Sequence, residues 1–130
     1  MNAEELKSVP LFANLSDDAR RELAVWLDEV KVSAGKHLVN EGDYAYDLSV
    51  ILEGEAEVTR GGEHVADLGP GDFFGEMGVL GEQGRRNATV AAKSDMKLLT
   101  LLHWDVDRMR KSAPEMIGEL LEAVKERSPG

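Results

Sequence analysis

The chain has 130 residues, 42% of them hydrophobic and 31% charged, with a formal net charge of −10. This size and balance fit a single soluble globular domain that buries its own core, and they exclude a disordered chain. The absence of cysteine removes disulfides and thiolate-held metals, no apolar run reaches the roughly 20 residues of a membrane helix, and the acidic balance argues against a nucleic-acid partner, which would need basic surface.

The N-terminal MNAEELKSVP carries neither the basic start nor the apolar block of a secretory signal, so a cytoplasmic address is expected. Ala3 to Lys7 forms a helical turn or two that Pro10 interrupts. Ser16 is a good N-cap, with Asp17 and Asp18 at the positive end of the helix dipole. Ala19, Leu23, Trp26 and Leu27 then recur on one face, which predicts an amphipathic helix from Asp17 to about Leu27.

From Val30 the period changes to two. Val30 and Val32, then Leu48, Val50 and Leu52, then Ala56 and Val58, then Ala88, Val90 and Ala92 alternate with other residues, and Met96 to Leu102 is an apolar run suited to a buried strand. Gly35, Glu41-Gly42-Asp43, Gly54, Gly61-Gly62 and Gly69-Pro70-Gly71 separate these strands. Short strands with such spacing predict an antiparallel sandwich or barrel. Gly61-Gly62, between Val58 and Val65, has the chemistry of a two-residue hairpin turn.

The C-terminal part is helical again. A short helix is expected from Val106 to Arg110, and Ser112-Ala113-Pro114-Glu115 reads as a capping box for a last helix. Met116, Ile117, Leu120, Leu121 and Val124 form one stripe on that helix. Its expected use is packing on the barrel, with a partner helix or a lid as the other uses.

The chemistry concentrates in GDFFGEMGVLGEQGRRNATV, from Gly71 to Val90. Glu76 follows a glycine-bearing turn, and Arg85 and Arg86 come after a short apolar stretch and a glycine loop. Adjacent arginines are usually solvated surface charge. Here their closeness to a Gly-Glu turn, in an acidic chain, points to an anion site. Guanidinium is a planar, permanently charged fork for phosphate oxygens, a carboxylate accepts hydrogen bonds from sugar hydroxyls, and glycine lets backbone N–H groups approach. A site for a phosphorylated sugar needs this combination.

With its helix, glycine-punctuated strands, Gly-Glu/Arg segment and closing helices, the chain resembles the cyclic nucleotide-binding domain family over nearly its whole length. The segment Phe74 to Val90 resembles the family's phosphate-binding cassette, and Gly42-Asp43, Gly54 and Gly69-Pro70-Gly71-Asp72 are further family-like elements. The resemblance implies a mainly β fold, an antiparallel β-roll or jelly-roll barrel with an N-terminal helix and two C-terminal helices. As one domain it divides into a helical start at 1–28, a roll at 29–102 and C-terminal helices at 103–127.

It also implies ligand-binding residues. Glu76 would accept from the ribose 2′-hydroxyl, Arg86 would pair with the exocyclic phosphate oxygens, and Arg85 would stand at the rim. Backbone N–H groups from Gly75, Glu76, Met77 and Gly78 would face the ligand at a helix N-terminus. Asn87 and the Ala88 N–H would add contacts, with Leu68, Met77 and Val79 as walls for the base and Arg127 as a lid residue.

The ligand is then cAMP or cGMP, with cAMP preferred. No enzyme activity, cofactor, metal, nucleic acid or membrane is implied, and the C-terminal helices would serve a homodimer partner or a separate effector. No residues remain after the last helix for a helix-turn-helix, so direct DNA binding is not expected. His37, His64 and His103 lack the motif spacing of a cupin-type metal site. The competing reading is a degenerate roll that binds no nucleotide and serves for docking or oligomerisation.

Overall fold

The computed structural model describes residues 1–43, 47–75 and 88–127. Two 3₁₀ turns, Glu5–Ser8 and Pro10–Phe12, open the chain, followed by helix α1, Asp17–Trp26. Pro10 starts the second turn, because its missing N–H costs nothing at a first helical position. Ser16 caps α1, accepting the Ala19 N–H on Oγ at 3.1 Å.

Among the described residues eight strands follow: β1 Asp28–Val32, β2 His37–Val39, β3 Leu48–Glu53, β4 Ala56–Arg60, β5 Glu63–Leu68, β6 Phe73–Phe74, β7 Thr89–Ala92 and β8 Met96–Leu101. They form two four-stranded sheets, ordered β1-β8-β3-β6 and β2-β7-β4-β5, with antiparallel pairing throughout. The fold is thus an antiparallel β-roll with flanking helices. Helices α2, His103–Ser112, and α3, Pro114–Arg127, close the chain.

Two apolar cores lie on opposite faces of the first sheet. One holds Leu48, Val50, Leu99 and Leu101 with the helical residues Phe12, Leu23, Val106, Met109, Ile117, Leu120 and Val124. The other fills the roll with Val32, Ile51, Ala56, Phe74, Val90, Ala92, Met96 and Leu98. Strands β3 and β8 are therefore buried on both faces, which is why their sequences read as runs rather than as clean alternation. The apolar stripe of α3 enters the helical core, with Ile117, Leu120 and Val124 buried there.

Three local expectations change. Val30 is 37% exposed although it alternates with its neighbours, because only Val32 of β1 reaches a core. Helix α2 begins at His103, ahead of the expected Val106, because Asp47 Oδ1 accepts both the His103 backbone N–H at 2.9 Å and interacts with its Nδ1 at 3.1 Å. That non-local carboxylate satisfies an amide at the helix start that local sequence leaves open. The capping box at Ser112 does not form: Ser112 ends α2 and its hydroxyl donates to the Arg108 carbonyl at 3.0 Å.

Turn chemistry follows the sequence. Gly61 and Gly62 have φ of 58° and 82° and join β4 to β5 in a two-residue hairpin, with Arg60 paired to Glu63. Arg20, 5% exposed, donates to the carbonyls of Phe12, Ala13 and Leu15 and pairs with Asp17, which ties the 3₁₀ turns to α1.

Gly54 has φ +90°, and a Cβ on it would lie 2.3 Å from the Asp95 carbonyl oxygen. Gly54→Ala is expected to lower unfolding free energy by about 2 kcal/mol or more, since strain and overlap act together. Urea titration with an unchanged m-value checks this, and a wild-type midpoint would refute it.

Candidate functional site

Of the residues singled out from sequence, Leu68, Gly75, Ala88 and Arg127 are described. Glu76, Met77, Gly78, Arg86 and Asn87 lie outside the described residues, as do Val79 and Arg85. The structure defines the anchors at Gly75 and Ala88 and the packed apolar cluster beside them.

The entry anchor begins at the turn 69–72. Asp72 Oδ2 accepts the Gly69 N–H at 2.8 Å, and the Asp72 N–H donates to the Gly69 carbonyl at 3.0 Å. The turn docks on β3: the Ile51 N–H donates to the Asp72 carbonyl and the Gly71 N–H donates to the Ile51 carbonyl, both at 2.9 Å. Gly71, φ +93°, leaves room for Pro10, whose Cγ would be 3.2 Å from an added Cβ.

Strand β6 follows, with Phe73 opposite Val50 and Phe74 opposite Ser49. Successive side chains of a strand point to opposite faces. Phe73 therefore packs against the helical core, and Phe74 enters the roll interior. Gly75 is buried with φ +86°, a conformation that L side chains resist.

The exit anchor lies in the other sheet. Ala88 is a half-buried bend residue, and Thr89 opens β7 between β2 and β4. Val90, which pairs with Val39 and Val58, shares the roll-interior cluster with Phe74. The described chain thus stops beside one sheet at Gly75 and resumes beside the other at Ala88, and Phe74 and Val90 near these points share one apolar cluster.

Leu68, expected as a wall, is half-buried against this cluster, as are Leu38, Val39 and Val58. Sequence reading did not assign Ile51, Phe74, Met96 and Leu98 to the roll-interior cluster. Ile51 lies in the alternating β3 pattern and Met96 and Leu98 in the apolar run of β8, but neither signal could assign a face to strands buried on both. Arg127 is exposed at the end of α3, whose apolar stripe belongs to the helical core.

Charged groups cluster on the exposed face of the second sheet. A register shift between Val58 and Thr59 brings His64 near Glu57 and Asp67, with His64 Nδ1 3.4 Å from Glu57 Oε2 and Nε2 3.8 Å from Asp67 Oδ2. These are the three residues that could share a cation among the described residues. Lys93 Nζ donates to Asp67 Oδ1 at 3.2 Å, and this hydrogen bond with the Asp67 charge raises the ammonium above its ordinary pKa. The cluster stands apart from the roll interior.

A family model described as the cyclic nucleotide-binding domain matches residues 29–112. A cAMP-dependent protein kinase regulatory subunit of Yarrowia lipolytica is 35% identical over 126 residues, which cover 95% of this chain and 32% of that protein. The chain therefore spans about a third of that relative's length.

Among solved structures, the N-terminal domain of a transcriptional regulator from Streptomyces coelicolor A3(2) superposes with a TM-score of 0.79 at 33% identity, covering 96% of this chain and 98% of that one. A putative cyclic nucleotide-binding protein from Geobacter metallireducens has a TM-score of 0.84 at 21% identity, covering 97% and 94%, a likeness of fold.

Because Gly75 combines burial with positive φ, Gly75→Ala is expected to lower unfolding free energy by about 1–2 kcal/mol. Thermal unfolding measures this, and an unchanged midpoint would show that the left-handed conformation carries no constraint.

Proposed function

The chain belongs to the cyclic nucleotide-binding domain family, and on that premise we propose that it is a non-catalytic, cytoplasmic sensor of a cyclic mononucleotide, cAMP in preference to cGMP. The observation that carries the reading is where the described flanks of the Gly-Glu/Arg segment lie. Its flanks are fixed in two different sheets, and Phe74 and Val90 at those flanks meet in one apolar cluster. A ligand held by that segment would have its anionic end at the backbone and guanidinium and its base against carbon.

In this reading Glu76 accepts from the ribose hydroxyl. Arg86 pairs with the phosphate. Backbone N–H groups of Gly75, Met77, Gly78 and Ala88 serve the phosphate and sugar, with Asn87 beside them. Leu68, together with Met77 and Val79, bounds the base. No cofactor is required. The preference for cAMP is supported by the kinase regulatory subunit that the chain resembles over 126 residues.

The energetics are sufficient. A charge-assisted hydrogen bond contributes about 1.5–3 kcal/mol, and micromolar affinity requires about −8 kcal/mol. One arginine, one carboxylate and several backbone donors supply much of that, and burial of the base supplies the remainder.

A route for output also exists. Phe73 precedes Phe74 and Gly75 and packs against the core that contains Val106, Met109, Ile117 and Leu120 of the last two helices. A shift of the segment on binding would reach those helices through β6. They would then present the change to a homodimer partner or a separate effector, by differential contacts in the two states.

Titration calorimetry with cAMP and cGMP tests the assignment. Binding of cAMP is expected, and Arg86→Ala is expected to cost about 2–5 kcal/mol of binding, as for loss of one partner of a buried charged pair. Arg85→Ala should change affinity far less. In thermal shift, nucleotide at a hundred times Kd stabilises a true binder by about 2.7 kcal/mol. Absence of a shift with either nucleotide at millimolar concentration would favour a docking module that has lost its ligand.

A further inference from the structure

Glu41 sits where the proposed binding segment re-enters the second sheet. It belongs to the turn after β2, in which the Asp43 N–H donates to the Asn40 carbonyl at 3.1 Å and Gly42 takes φ +91°. The Glu41 backbone N–H donates to Thr89 Oγ1 at 3.0 Å. Its side-chain Oε1 accepts the Gly61 backbone N–H at 2.9 Å. One residue thereby joins the end of β2, the first residue of β7 and the tip of the β4–β5 hairpin.

The topology gives this junction its significance. Strand β7 lies between β2 and β4, and Thr89 pairs with Thr59 on β4. The preceding residue, Ala88, is the exit anchor, with Arg86 and Asn87 just before it in the chain. The Gly61 N–H lies in a tight turn with positive φ at both central residues. Glu41 supplies that amide with an acceptor from the turn after β2, a strand that is not β4's neighbour.

We propose that Glu41 is a positioning residue for the nucleotide site: it splints the turn after β2, the hairpin tip and the start of β7, and so fixes where Ala88 and the residues before it emerge. The inference rests on the sensor reading above. Both hydrogen bonds lie at exposed positions, so their loss costs little global stability, and the effect falls on the local geometry of the exit anchor.

The test uses the intact chain, cAMP titration calorimetry and hydrogen exchange without nucleotide. Glu41→Ala removes the arm to Gly61, and Thr89→Val removes the arm from the Glu41 amide. Each is expected to weaken cAMP binding by about 3- to 10-fold, the size of one modest hydrogen bond, with unfolding midpoints near wild type. Glu41→Gln keeps an acceptor and should bind like wild type. The double variant should bind little worse than either single one, because the two arms act as a unit.

Amides from Ala88 to Ala92 should exchange faster in Glu41→Ala than in Glu41→Gln. Unchanged affinity and exchange in Glu41→Ala, or an equal loss in Glu41→Gln, overturns the inference while leaving the sensor reading intact. Wild-type protein that takes up neither cAMP nor cGMP overturns the sensor reading, and the assignment of Glu41 to a nucleotide site falls with it.

Discussion

Strands β3 and β8 are apolar on both faces, and their register holds the two cores apart. Leu48 faces Leu101 and Val50 faces Leu99 on the helical side, while Ser49 faces Thr100 and Ile51 faces Leu98 on the roll side. A slip by one residue would exchange the two sets and place the part-buried Ser49–Thr100 hydroxyl pair, 3.0 Å apart, among the helices. At the end of β3, Gly54 lies so close to Asp95 and Met96 that a Cβ on it would collide with them.

This shared wall places the entry to the candidate binding segment beside the helical core as well as the roll interior. Strand β6 is an edge strand of two residues on the same sheet, and its two phenylalanines enter opposite cores. The turn before β6 is hydrogen-bonded to Ile51 and also accommodates Pro10 of the N-terminal 3₁₀ turn. The entry to the candidate binding segment is thus in contact with the roll, the N-terminal turns and the helical core. The exit is bound differently, inside the second sheet, so the segment has one anchor on the shared wall and one away from it.

Non-local polar contacts fasten the helices to this frame. Glu119 of α3 accepts the Ser16 N–H at 2.9 Å and the Ser16 hydroxyl at 2.8 Å, joining the last helix to the cap of α1. Asp47 does the same for the start of α2 from just before β3. Among the described residues, no helix is long and apolar enough to cross a membrane. The stripe on α3 is satisfied within the chain, so any partner at the C-terminal helices would meet their other faces.

Local signals carried much of the fold. The Ser16 cap, the Ala19 and Leu23 face, the Gly61-Gly62 turn and the α3 stripe are local rules acting within a few residues, and each is read correctly from the chain. The order of glycine, carboxylate, arginine and Ala-Thr-Val named the family, because that chemistry is contiguous in sequence. Tertiary structure alone decided the rest. It set which side of β3 and β8 faces which core, the outward turn of Val30, the start of α2 at His103, and the junction of Glu41 with Thr89 and Gly61. Each depends on atoms distant in sequence, brought together by strand pairing, and a one-dimensional pattern contains no term for them.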